Sequence, residues 1–122
     1  MPSFHTLRAV SPIDGRYQAQ LASLSDYFSE YALIKYRVHV EAEYFIALGY
    51  EKIFSLTMTQ RKLIRKVASD FSIEEAAHIK SIERVTNHDV KAVEYFLKEK
   101  FETIGLADQI EWVHFGLTSQ DI

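Results

Sequence analysis

No cysteine occurs among the 122 residues. That excludes disulfides and thiolate metal sites, and it suits a reducing, cytoplasmic setting. Both prolines, Pro2 and Pro12, lie near the start, and only four glycines occur. The chain therefore has few of the residues that punctuate loops and turns. Nor is there a basic excess. Fourteen Lys and Arg stand against seventeen Asp and Glu, a net charge of −3, whereas a nucleic-acid binder usually carries a positive surplus. The densest basic stretch, RKLIRK at 61–66, is broken by Leu63 and Ile64 and reads as a solvated helix face. No apolar run approaches the ~20 residues of a membrane span. The opening MPSFHTLRAV lacks the basic region and apolar core of a signal peptide. P-loop, GxGxxG and GxSxG patterns are all missing, as are repeats and low-complexity tracts.

What is present is apolar and helical. Hydrophobic residues make up 48% of the chain, enough for a one-domain core. Residues 11–17, SPIDGRY, form a loop around Pro12 and the Asp14–Gly15 pair. A long helix is predicted from about Tyr27 to Leu48. Leu33, Tyr36, Val40, Tyr44 and Ala47 recur on it at helical spacing, with Ile34, Val38 and Phe45 beside them and Gly49 as the C-terminal cap. Thr57 to Gln60 and Ser72 to Glu75 fit capping boxes that open two further helices. Thr86 to Asp89 resembles a third box, with aspartate in place of glutamate. It opens a helix on which Val90, Val93, Leu97 and Phe101 line one face, Phe96 widens it, and Gly105 ends it. Strand-like alternation is nearly absent, so the expected fold class is all-α.

Three short polar motifs suit anion binding. Asn87, His88 and Asp89 would fill a first helical turn, where backbone N–H groups lack partners and the macrodipole is positive. Aspartate is favourable there for structural reasons alone. Histidine is not, because the local field disfavours its charged form. Thr118 and Ser119 stand at another helix-start signal, Thr118 to Asp121, after which the chain stops; a helix that begins and then ends suggests a fragment. Arg16 and Tyr17 follow the Asp14–Gly15 turn, where a guanidinium fork and a phenol can meet a phosphate. Each motif also has a plain reading, as a helix cap or a surface pair. His39/Glu43 and Glu74/His78 have i,i+4 spacing but no third ligand, so they read as surface pairs and no metal site is expected. His114, between large apolar residues in WVHF, reads as a packed or hydrogen-bonded core histidine.

SPIDGRY (11–17), FSEYALIKYRV (28–38), IERVTNHDVKAVEYFLKEK (82–100) and HFGLTSQDI (114–122) together resemble the N-terminal part of the bacterial type of the adenylosuccinate lyase family, within the fumarase/aspartase superfamily. The resemblance covers nearly the whole chain apart from residues 50–70. TNHDVKAVEYF is highly specific, SPIDGRY strong, and TSxDI shared across the superfamily. It implies an N-terminal helical domain over 1–112 and, at 113–122, the start of a central helical-bundle domain. It also implies cleavage of adenylosuccinate to AMP and fumarate, and of SAICAR to AICAR and fumarate, with no cofactor, no nucleic acid and no membrane. The family is a cytoplasmic homotetramer with active sites shared among subunits.

By matching position, the resemblance makes Arg16 and Tyr17 the nucleotide-binding pair at the phosphate end. Asn87, His88 and Asp89 become a substrate-contacting segment in which His88 orients the ligand, and Thr118 and Ser119 hold a succinyl carboxylate. The family's reaction is a β-elimination. A base removes the proton beside a carboxylate, and an acid protonates the departing nitrogen. Donors aimed at that carboxylate stabilise charge that grows in the transition state. The general acid and the catalytic serine of the family lie in later segments, so this stretch is expected to bind without turning over. The competing expectations are a helical binding module with no enzymatic role, and another lyase of the superfamily.

Overall fold

A computed structural model describes residues 4–122, and every regular element among them is helical. In order they are α1 (Phe4–Leu7), a 3₁₀ segment (Gln18–Leu24), α2 (Ser25–Phe28), α3 (Glu30–Tyr50), α4 (Met58–Ser69), α5 (Ile73–Thr86), α6 (Asp89–Thr103) and a second 3₁₀ segment (Ala107–Trp112). The all-α expectation holds. None of the described helices is long and apolar enough to cross a membrane. The described residues divide into two compact units, one up to Leu33 and the other Ile34–Ile122.

In the first unit, residues 11–17 fold as consecutive turns. The Asp14 carboxylate accepts from the Ser11 N–H at 2.8 Å and from its hydroxyl at 3.0 Å. The same hydroxyl accepts from the Ile13 N–H. Gly15 sits in a tight space: a Cβ there would lie 3.0 Å from the Thr6 carbonyl oxygen and 3.1 Å from that of Ser11. The turn is thus packed directly on the chain that precedes it.

The helix expected over Tyr27–Leu48 is interrupted. Ser29 is extended, and its Oγ accepts from the Ala32 N–H at 3.0 Å. That N-cap ends α2 and starts α3 afresh. At the far end Gly49 is not the cap. It lies inside α3, where a Cβ would meet Leu56 Cδ1 at 2.9 Å. The stop falls to Lys52, which has φ 62°. Its N–H bonds the Gly49 carbonyl and the Ile53 N–H bonds that of Leu48, the paired closure of a Schellman motif.

The buried face of α3 also differs from the expected one. Ala32, Ile34, Val38, Ala42, Phe45, Ile46 and Leu48 are inside. Leu33, Tyr36 and Val40 are 47%, 42% and 41% exposed. Both series recur at helical spacing, so α3 carries two apolar stripes, and packing in the described chain takes one of them.

The other helices follow their local signals. Thr57 and Gln60 complete a reciprocal capping box, with bonds of 3.1 and 2.9 Å. Ser72 accepts from the Glu75 N–H, while the Glu75 carboxylate turns to Lys100. Val90, Val93, Phe96, Leu97 and Phe101 of α6 are all buried, and α5 lies along α6. Phe45 meets Phe54 and Phe101 at 4.7 Å each, and Phe71 meets Phe96 edge-on at 5.7 Å. Gly105, with φ 83°, ends α6, and Leu106 closes it by bonding the Phe101 carbonyl at 2.9 Å.

Candidate functional site

The junction of α5 and α6 differs from the capping box expected at Thr86. Thr86 is the last residue of α5, and Asn87 follows in the left-handed region, φ 53° and ψ 31°. Its N–H closes the helix on the Glu83 carbonyl at 2.8 Å. Asparagine tolerates that conformation better than most residues. The N-cap of α6 is His88, whose Nδ1 accepts from the Lys91 N–H at 3.1 Å. The Thr86 hydroxyl spans the turn, accepting from the His88 N–H at 3.3 Å and donating to its carbonyl at 3.1 Å. Two helices thus meet through two residues, each with its backbone N–H bonded. An Nδ1 that accepts a backbone N–H leaves the ring proton on Nε2. His88 therefore presents a donor from an exposed ring at a helix start.

Asp89 is the first residue of α6 and looks two ways. Oδ1 accepts from the Val90 N–H at 2.9 Å, and Oδ2 accepts from Arg37 of α3 at 2.7 Å. The Arg37 hydrogen bond is the main cause that holds this carboxyl below the usual carboxylate range.

Thr118 and Ser119 lie in a turn built like the one at residues 11–14. The Asp121 carboxylate accepts from the Thr118 N–H at 2.7 Å and from its hydroxyl at 3.1 Å. These bonds hold the Asp121 carboxyl low, the backbone one foremost. Ser119 is exposed beside them.

Sequence reasoning missed a row of polar residues on α3. Glu41 is 1% exposed, and its Oε1 bonds His114 Nδ1. Its Oε2 has no hydrogen-bond partner among the described residues. Burial pushes the Glu41 carboxyl up, against the opposing pull of His114. Three residues on, the Tyr44 hydroxyl donates to the Phe115 carbonyl at 2.6 Å. His114 is thus the hydrogen-bonded histidine expected from its apolar neighbours. The available signal was weak: Arg37 and Glu41 are four apart on one face, but Lys35, His39 and Glu43 of the same helix are polar too.

Arg16 and Tyr17 belong to the first unit. Both are exposed, and the Arg16 guanidinium lies 4.6 Å from the Tyr17 ring centroid, a cation–π contact. Among the pairs with metal-like spacing, Glu43 instead receives a forked bond from Arg65 at 2.9 and 3.3 Å. His78 bonds Glu99 at 2.8 Å.

No family model matches the chain. Curated proteins do. An adenylosuccinate lyase of Dictyostelium discoideum is 51% identical over 97% of this chain and 27% of its own length. One from Legionella pneumophila (strain Corby) is 46% identical over 95% of the chain and 26% of its own length. One from Escherichia coli (strain K12) is 44% identical over 96% and 27%. The chain spans about a quarter of the length of these relatives.

Proposed function

We propose, from the premise that the chain belongs to the adenylosuccinate lyase family and spans about a quarter of its members' length, that it is the substrate-gripping N-terminal part of such an enzyme. The whole enzyme cleaves adenylosuccinate to AMP and fumarate, and SAICAR to AICAR and fumarate, by β-elimination. It works as a cytoplasmic homotetramer and engages no nucleic acid. Residues 1–112 form its N-terminal helical domain, and 113–122 open its central bundle. Arg16 and Tyr17 take the phosphate end of the nucleotide. Asn87, His88 and Asp89 contact the substrate, with His88 orienting it through Nε2–H. Thr118 and Ser119 hold a succinyl carboxylate. Proton removal and return are carried by residues outside this stretch.

The observation that carries the reading is the His88 ring, capped through Nδ1 and presenting Nε2–H at the head of α6. Because His88 is itself the N-cap, His88→Ala removes a cap worth about 0.5–2 kcal/mol along with any ligand contact. His88→Asn separates the two roles, since asparagine caps well but does not extend a donor as far. In the full-length protein, His88→Asn is expected to lower kcat/KM for adenylosuccinate by on the order of 100-fold, with an unchanged melting temperature. Measurable turnover should remain, because the acid and base lie elsewhere. Wild-type kinetics in His88→Asn would return the residue to capping alone. A wild-type protein that releases no fumarate would favour the binding-module alternative.

A further inference from the structure

We propose that Arg37, Glu41 and Tyr44 of α3 are positioning residues that hold the His88–Asp89 segment and the Thr118–Ser119 turn in one register. For its catalytic consequence this rests on the function proposed above; for its geometry it does not. The three residues follow i, i+4, i+7 spacing and share one helix face. Each reaches a distant part of the chain. Arg37 bonds Asp89 at a separation of 52 residues, Glu41 bonds His114 at 73, and Tyr44 bonds Phe115 at 71. From the first to the last of them, the helix advances roughly 10 Å as a rigid rod.

The segment held by Glu41 and Tyr44 has little regular structure of its own. His114 and Gly116 both adopt positive φ, 62° and 75°, and its local backbone bonds are turn bonds such as Leu117 N–H to the His114 carbonyl. A non-glycine residue in that region persists only where its surroundings fix it. Glu41 supplies that fixing at its ring, and Tyr44 at the next carbonyl. Three residues after Phe115 comes Thr118.

The choice of residue types argues for position over stability. A buried carboxylate with one oxygen unpartnered costs desolvation, and an apolar side chain of similar size would serve the core at least as well. Arg37 is likewise mostly buried, and its Nε is without a hydrogen-bond partner among the described residues. What these groups supply is direction. Catalytic geometry tolerates errors of about half an ångström, and one helix that grips both segments meets that demand.

The test uses the full-length protein with Arg37→Met, Arg37→Lys, Glu41→Gln and Tyr44→Phe. Steady-state kinetics on adenylosuccinate are combined with thermal melts and peptide-level hydrogen exchange. Glu41→Gln and Tyr44→Phe are expected to speed exchange across 113–121 and not across 86–91. Arg37→Met should do the reverse, and Arg37→Lys, which keeps a cation for Asp89, should recover part of the loss. Each disruptive variant is expected to lower kcat/KM by about 10-fold without a matching fall in melting temperature. Wild-type kinetics and wild-type exchange in all four, beside an impaired His88→Asn, would overturn the positioning role and leave the proposed function standing. If the wild-type protein releases no fumarate, that function falls and the exchange patterns alone decide: localised changes support the register, and uniform or absent changes overturn it.

Discussion

Burial raises the Glu41 carboxyl above its unfolded value, so the sign of its effect on stability is set. Its favourable contribution is complete below the ordinary carboxylate range and is lost as pH rises through the folded value. At neutral pH the folded chain carries a cost that a neutral isostere would not. Glu41→Gln removes the charge and leaves a weaker, neutral bond to His114 in place of a charge-assisted one. We expect it to raise the melting temperature at pH 7 and to bring no gain near pH 4. Melts of both proteins across that interval check it; a gain that does not depend on pH would contradict it. Asp89 works in the opposite sense. Arg37 depresses its carboxyl, so its contribution is present above the ordinary range and fades in acid. With its side chain half exposed, that contribution is small.

The helices show what can be read locally and what cannot. The Thr57 box, the Gly105 stop and the apolar face of α6 were legible because each depends on residues within a turn or two. The join between α5 and α6 was misplaced because Thr86 and His88 both offer a cap. Asn87 decides between them by turning left-handed, and Arg37 secures the result from 52 residues away. The buried stripe of α3 was illegible for a related reason: both stripes are apolar, and only tertiary packing chooses. In the candidate site, the contiguous motifs stood out, whereas the α3 row that grips them did not, since local spacing says nothing of His114 or Phe115. A prediction follows from Lys52, which holds a left-handed position that glycine fills at the end of α6. Lys52→Gly should stabilise the fold by up to about 1 kcal/mol, and Gly105→Ala should cost at least that much. Denaturant titrations of the two variants measure the difference, and equal shifts would contradict the assignment.

At the scale of the whole molecule, α3 leaves Leu33, Tyr36 and Val40 in water. An apolar stripe on a long helix, rimmed by charge, is the usual mark of a surface that another helix covers. The 122-residue chain is therefore expected to self-associate, and Tyr36→Lys with Val40→Lys should reduce that association. Sedimentation velocity over a concentration series reads it directly. A chain that stays monomeric at all concentrations, before and after substitution, would remove the stripe from any assembly role. Helix α6 makes no such offer, because, of its large apolar residues, only Tyr95 is exposed.

Under the proposed function, the turn at Thr118 has a consequence for affinity. Its amide and hydroxyl already hold a carboxylate, and that carboxylate belongs to the chain itself, three residues on. A ligand anion seeking the same two donors meets a tethered rival, whose local concentration is set by the chain and cannot be diluted away. Occupancy there is an exchange of one carboxylate for another. The apparent affinity is scaled down by the fraction of time Asp121 is turned away.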